Sequence, residues 1–457
     1  MKKTYDQYVE AAWQMTADII DKHGPRVSGT EGCYSACTEL EAILGKYCQS
    51  VKRESFWIHP ASLFAIGKIF TVIYLIGMIA ILIESKISMG IGLICMISGT
   101  IYFFIQFILY ADTFDGLFKR VAGNNIIGII EPQAAVKQQV VIVSHHDSSP
   151  VYPFYEKVPF LFPIRLFAPI LLFILCLLLL FIGFCFRVPI GSMPLLPIWL
   201  KYILFFGIIF VVPMYGYISK RQSPGAGDNL IGCAIVIKLA EIFQSVENVL
   251  QNTRIVVLLT DGEEVGQKGA KFFIKNNREL LGTAKTIVIN VDSIYEYENI
   301  ALLKRDRNGF TRLSKDLVND VKMVAMELGH ALKTISIPFG GGGTDGGQFA
   351  RQKIKTVSII GMPTNMFRKE IVFHTMKDRP EKISKKAVRT VIEVVSEYIK
   401  KIEICNEGIR GRPYPNEILG DQPVIPTLCP PAPVPTLSPY RSMPGPDGLR
   451  DSSTGNS

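Results

Sequence analysis

The sequence predicts an α/β protein: a mainly parallel mixed sheet flanked by helices, with four transmembrane helices set into the chain as two hairpins. Two observations predict the sheet. Short apolar runs bounded by turn residues recur through the polar parts of the chain, and stretches of helical period separate them, the alternation that builds layered α/β folds. A third observation predicts the spans. Of 457 residues 48% are hydrophobic and 19% charged, where an ordinary soluble protein has about a quarter charged, and the apolar excess is concentrated in four runs. So much apolar mass also excludes a disordered chain.

Taken in order, Tyr5–Lys22 repeats apolar residues at Tyr5, Tyr8, Val9, Ala12, Trp13, Ile19 and Ile20, an amphipathic helix. Its charged character is unlike a cleaved signal peptide. A turn-rich loop, Gly24-Pro25-Arg26 to Gly32, leads to a second helix over Tyr34–Tyr47. Then come the apolar runs. Leu63–Ile83 holds one charge, Lys68, and Ser88–Tyr110, Leu166–Phe186 and Tyr202–Ser219 hold none. Each approaches the roughly 20 residues that a helix needs to cross the hydrocarbon layer. Buried core helices are the plain alternative, but four runs of this length with a single charge among them do not suit a soluble core. Residues 84–87 join the first pair and 187–201 the second, so each pair is a hairpin that returns the chain to the side it left.

The strands are Val140–Val143, Ile255–Leu259, Thr286–Val291 and Thr356–Ile360, apolar throughout as strands buried on both faces are. Leu230–Phe243 and Ser384–Ile404 read as helices, the latter with Val388, Val391, Ile392, Val395, Ile399 and Ile402 on one stripe. The water-soluble part is thus divided into 1–62, 111–162 and 220–404, the hairpins occupy 63–110 and 163–219, and residues 405–457 form a Pro-rich tail expected to be disordered. Lys52, Arg53, Lys68, Lys119, Arg120, Lys157, Arg165, Lys220 and Arg221 lie by the soluble ends of the spans, against Lys86, Arg187 and Lys201 at the hairpin tips. That bias places the soluble part on the cytoplasmic side of a multi-pass, four-span protein. Nine cysteines without a paired pattern, and no Asn-x-Ser/Thr site, suit the same compartment. The basic charge fits an anionic lipid bilayer rather than nucleic acid.

Reactive groups in α/β folds collect at the carboxyl ends of strands. Here those ends carry His145-His146-Asp147-Ser148, Asp261-Gly262-Glu263-Glu264, Asp292, and, further on, His374 in Phe373-His374-Thr375-Met376-Lys377-Asp378. Asp228 opens a helix in Gly225-Ala226-Gly227-Asp228-Asn229-Leu230. Singly, each has a plain reading: Asp228 as a helix cap, Glu263-Glu264 as a solvated loop. Jointly, histidine and carboxylate donors at successive strand ends suit zinc in a two-metal arrangement with a bridging carboxylate. His146 is expected to face away, and His23, His59 and His330 have no ligand-like company. Gly340–Gly343 is expected to be a mobile loop near the site, with no Gly-Lys-Ser/Thr to make it a phosphate loop. Cys33 and Cys37 have helix spacing and no second pair to complete a zinc ribbon.

This ordered set resembles the M28 family of zinc exopeptidases, of the aminopeptidase Y/S type. The matching pieces are Gly24-Pro25-Arg26 with Gly29-Thr30-Glu31-Gly32, His145-x-Asp147-Ser148, Asp228-Asn229, Glu263-Glu264 with Gly266 and Gly269, Asn290-Val291-Asp292 and Phe373-His374-Thr375. The resemblance implies a zinc-exopeptidase-like fold and an aminopeptidase acting on peptides with two zinc ions. His145 and Asp292 would hold one, Glu264 and His374 the other, and Asp228 would bridge. Asp147 would fix the His145 imidazole, and Glu263 would be the general base. Two departures stand out. The second hairpin separates Asp147 from Asp228, which are close in compact members. The stretch Thr344-Asp345-Gly346-Gly347-Gln348-Phe349 lacks a histidine that some members carry. Non-enzymatic relatives have lost metal ligands, whereas all five candidates and the base are present here. A glutaminyl-cyclase-like or amide-deacylating activity is possible on the same scaffold. A transporter is disfavoured because the spans contain no acid.

Overall fold

The computed structural model describes residues 3–185, 197–363 and 370–406. Among these, nine strands form one sheet: β1 (Ser50–Ile58), β2 (Val121–Ile130), β3 (Gln138–His145), β4 (Thr253–Thr260), β5 (Lys285–Ile294), β6 (Ala301–Asp306), β7 (Thr311–Arg312), β8 (Lys333–Ser336) and β9 (Lys355–Gly361). The order is β1-β2-β4-β3-β5-β9-β6-β7, with β8 on β6. The four strands expected from the sequence are the parallel centre, β4-β3-β5-β9. Successive residues point to opposite faces. Val140, Ile142, Ile255, Val257 and Ile289 face the helices Tyr5–His23, Ile231–Gln244 and Lys385–Asn406. Val141, Val143, Val256, Leu258 and Val288 face Lys268–Asn276 and Asp345–Arg351, against Phe273 and Phe349.

The antiparallel strands β1 and β2 escaped the sequence pattern for physical reasons. Lys52, Arg53 and Glu54 break the apolar run of β1, whose burial alternates as in a half-exposed strand. In β2, Gly128 has no side chain because a Cβ there would lie 2.6 Å from Cys48 Sγ and 2.8 Å from Leu44 Cδ2. The second helix runs Glu31–Leu44, three residues ahead of the expected start, because the Thr30 side chain caps the Cys33 amide.

Four helices, Ala61–Ile83, Lys86–Ile108, Pro159–Cys185 and Ile198–Gly216, are long and apolar enough to cross a membrane. They start a few residues ahead of the apolar runs. Outward-facing Ile83, Ile87, Ile94, Leu171 and Ile209 are exposed, an arrangement suited to lipid and not to water. The four pack as one bundle at small residues. A Cβ on Gly92 would meet Ala80 and Leu180, and one on Gly207 would meet Leu172. Tyr74 donates to Leu204 O (2.9 Å) and Thr71 to Val211 O (3.3 Å), which ties the first pair to the second. The second inter-helix link, Arg187 included, and the Pro-rich tail from residue 407 lie outside the described residues.

Each pair is closed at its base. β1 and β2 pair from Ser50↔Ile129 to Ile58↔Val121, so the first pair is inserted where a β-hairpin turn would be. Arg307 and Asn308 donate to Leu109 O (2.5 Å) and Phe107 O (3.0 Å) at the end of its second helix, where a cation also complements the helix dipole. The second pair is closed by the Val151 amide on Arg221 O (2.8 Å), Ser219 on Val151 O (3.0 Å) and Ser223 on Ser149 O (2.9 Å). Arg26 completes this closure. Fully buried, its guanidinium donates to the carbonyls of His146 (2.9 Å), Pro224 (2.9 Å) and Gly225 (2.7 Å). Burial depresses its pKa, Asp378 and Asp147 oppose that shift, and the carbonyls take up its donors. Replacing Arg26 by Met removes a donor from three buried carbonyls, of which Gly225 O keeps the Leu230 amide, and each orphaned group costs about 1–3 kcal/mol. Arg26→Met is therefore expected to lower the unfolding midpoint of the detergent-solubilised protein by several degrees or more, measured by thermal or denaturant unfolding.

Candidate metal centre

Local backbone explains why the reactive side chains converge. His145 is the last residue of β3, and Asp292 lies near the end of β5. Glu263 and Glu264 follow β4 in a turn whose amides are held by one carboxylate: Glu263 N donates to Asp147 Oδ1 and Glu264 N to Asp147 Oδ2, both at 3.2 Å. Asp228 does not open a helix. The segment before Ile231 is irregular at Asp228 and Asn229, because their neighbours are claimed by side chains. Asp378 accepts from Gly227 N (2.7 Å) and Asp228 N (3.3 Å), and Asn229 Nδ2 donates to Ser144 Oγ and Val291 O (3.0 Å each).

The structure brings all five expected ligand residues into two groups, His145–Asp228–Asp292 and Asp228–Glu264–His374. His145 Nε2 lies 3.3 Å from Asp228 Oδ1 and 3.9 Å from Asp292 Oδ1. His374 Nε2 lies 3.1 Å from Asp228 Oδ2 and 3.3 Å from Glu264 Oε2. A tetrahedral zinc with ligands at about 2.0–2.1 Å separates neighbouring donors by about 3.3–3.4 Å, so these spacings fit the edges of two coordination tetrahedra sharing Asp228. Glu264 Oε1 and His374 Nδ1 are buried without a hydrogen-bond partner. The donor set therefore fits a metal pair.

Charge supports the same fit. Asp147, Asp228, Glu264, Asp292 and Asp345 are buried and Glu263 half-buried, and His145 and His374 are the bases that face the ligand carboxylates among the described residues. Burial raises Asp292 to about 7, His145 opposing and Asp228 adding to it, and burial likewise raises Asp345 to about 7. Burial also pushes Glu263 well up, with Asp292, Asp345 and Glu264 adding to the effect and His145 opposing it. Burial would lower both histidines, but the carboxylates around them win: His374 rises to about 10 through Glu264 and Asp228, and His145 rises well above its ordinary value through Asp147 and Asp228. Buried surplus negative charge of this kind is what bound cations neutralise.

Asp147 lies where the sequence placed it, behind His145. Nδ1 is 3.1 Å from the Asp147 carbonyl and 3.4 Å from its carboxylate. His146 is turned away, with Nε2 2.8 Å from Asn124 O. His23 and His330 pair with Glu39 and Glu393. The Gly340–Gly343 loop is tied by Gly342 N to Asn308 Oδ1 (3.0 Å). Sequence reasoning missed Asp378, Ser293 and Tyr152. Asp378 was in view, four residues after His374, but nothing local indicates that it reaches back to residues 227–228. Ser293 bridges Asp228 Oδ1 (3.2 Å) and Asp292 Oδ1 (2.8 Å). The Tyr152 ring packs edge-on against His374, 4.6 Å between centroids.

Residues 214–399 match the model of peptidase family M28. The family resemblance seen in the motifs is thus found independently over the segment that carries Asp228, Glu263, Glu264, Asp292 and His374. Solved structures agree on the fold. Porphyromonas gingivalis glutaminyl cyclase matches with a TM-score of 0.51 at 13% identity, over 86% of this chain and 98% of that one. A Zn-dependent exopeptidase from Parabacteroides distasonis matches at 0.50 and 15%, over 86% and 97%. A leucine aminopeptidase precursor from Bacteroides thetaiotaomicron matches at 0.50 and 14%, over 86% and 96%. No curated protein matches the chain in sequence. At these identities the likeness is one of fold.

The charge balance predicts how metal and pH interact. His145, His374, Asp292 and Asp345 all have raised pKa values in the metal-free fold. Their protonated forms stabilise that fold at low pH, and this contribution is lost as pH rises from their ordinary values to the raised ones, by about 7 for the two acids and by about 10 for His374. Metal replaces those protons. Zinc is therefore expected to raise the unfolding midpoint more at pH 8 than at pH 6, with proton release on binding detectable by calorimetry in buffers of different ionisation enthalpy.

Proposed function

We propose that the chain is a membrane-anchored two-zinc aminopeptidase. The observation that carries this reading is Asp228, whose two carboxylate oxygens each face a different histidine-containing donor group at 3.3 and 3.1 Å. His145 and Asp292 would hold one ion, Glu264 and His374 the other, and Asp228 would serve both. When bound, the zinc pair supplies Lewis-acid polarisation of the scissile carbonyl and lowers the pKa of water.

The protein's own groups supply the rest. Asp147 orients the site twice, through the His145 imidazole and through the two glutamate amides. Glu263 and Glu264 are adjacent in an irregular turn, so one can face a metal while the other faces the substrate. Glu263 Oε takes the proton from the attacking water and delivers it to the leaving amine nitrogen. Burial raises its pKa above the ordinary carboxylate range, which makes it a stronger base for the proton it accepts. Segments 1–62, 111–162 and 220–404 build this catalytic unit. The two hairpins anchor it in the bilayer, and the distribution of basic residues supports a cytoplasmic orientation.

The test is metal analysis of the purified full-length protein combined with hydrolysis of aminoacyl-anilides. Glu263→Gln is expected to keep the metal and lose about 10²–10⁴-fold in kcat, the usual share of a general base. Asp228→Asn is expected to lose metal as well as activity. An active metal-free protein, or a fully active Glu263→Gln, overturns the reading. Ammonia release from a glutaminyl peptide without hydrolysis would identify a cyclase instead.

A further inference from the structure

Of the five ligand side chains, His374 is the most exposed, at 18%, while the others are at 8% or less. The base Glu263 beside them is half-buried. The accessible side of the site is therefore the His374–Glu263 side, and both apolar pairs contribute to what surrounds it. The His374 ring is walled by Tyr152 (4.6 Å between centroids), Phe373 (5.2 Å) and Tyr155 (6.2 Å). Tyr155 packs on Phe162 (4.8 Å), which belongs to the third apolar helix. Tyr152 packs on Tyr217 (5.1 Å), one residue beyond the fourth. Phe70 of the first joins the same apolar cluster. On the Glu263 side stands Tyr110, two residues past the second helix. It lies against the Glu263–Gly266 turn, where a Cβ on Gly266 would sit 3.3 Å from its ring.

The metal centre is thus one aromatic side-chain layer from the ends of the apolar helices. In the reading given above those ends mark the bilayer surface. The rim is built for that boundary: Trp57 is 60% exposed and stacks with Arg120 at 4.5 Å, and Lys157, Arg165, Lys220 and Arg221 border the second pair. Tryptophan and basic residues are the side chains that settle at a membrane interface. A catalytic unit that needed only tethering could stand off on a linker. Here β1 pairs with β2 up to Ile58↔Val121, which leaves two residues between that pair and Ala61.

We infer that the site takes peptides held at the lipid surface, by an acyl chain or an apolar segment, and cuts them close to where they enter the bilayer. This substrate class rests on the aminopeptidase reading. A site raised well above the membrane would instead require a long spacer between the cut and the anchor.

Spacer length is therefore the measurement. The full-length protein is reconstituted in phosphatidylcholine–phosphatidylglycerol vesicles and given peptides with an N-terminal leucine and a palmitoylated C-terminal lysine. The spacer is varied from about 3 to about 15 Gly-Ser residues, a fully extended reach of roughly 10 to 50 Å at about 3.3 Å per residue. The same peptides without the palmitoyl group serve as the soluble set. Leucine release is expected to be at least tenfold faster for the short-spacer acylated peptide than for its soluble counterpart, with no gain as the spacer lengthens. Equal rates on acylated and soluble peptides overturn the inference while leaving the peptidase reading standing, as does cleavage that begins only with the long spacers. Failure to cut any peptide in zinc-loaded protein overturns both.

Discussion

The constraint on which the site depends is the placement of one carboxylate between two imidazoles. Asp228 can face His145 with one oxygen and His374 with the other only if its backbone is held out of the helix that follows. Two groups from distant parts of the chain and the neighbouring Asn229 do this. Asp378 takes the amides of residues 227 and 228, Asn229 reaches across to β3 and β5, and Arg26 binds the carbonyls just upstream. The surrounding acids are too many for two histidines in a buried space. That imbalance is tolerable with cations present and costly without them.

The insertions obey the same constraint. Each apolar pair interrupts the chain between residues that must meet: β1 and β2 in one case, His145 and Asp228 in the other. A hairpin satisfies this because its ends return together. The first pair replaces a β-turn, and the second is closed by backbone hydrogen bonds at residues 149–151 and 219–223. The aromatics Tyr110 and Tyr152 beside the donor groups sit at these joints, so the helix pairs also shape the rim of the site.

The parallel centre of the sheet was legible in the sequence because strands buried on both faces must be apolar at every position, and β3, β4, β5 and β9 are. The spans were legible for the same reason on a longer scale. The edges were not. In β1 the buried alternate positions include Glu54 beside Phe56 and Ile58, and the glycines of β2 make room for neighbours, so neither reads as an apolar run. Among site residues, His145, Asp147, Glu263, Glu264 and Asp292 could be found from their position at strand ends. Asp378 and Ser293 could not, since each acts on a backbone or carboxylate brought near by folding alone.

Residue type and order by themselves determined which donor atoms are available, the α/β layering and the presence of four apolar helices, because donor atoms, strand burial and helix length are properties of local sequence. The tertiary structure alone decided that the donors form two groups sharing Asp228, that both helix pairs close onto one sheet, and that the accessible side of the site adjoins them. Those are distances between segments up to hundreds of residues apart. They follow from how the sheet and the bundle pack together, which no local pattern encodes.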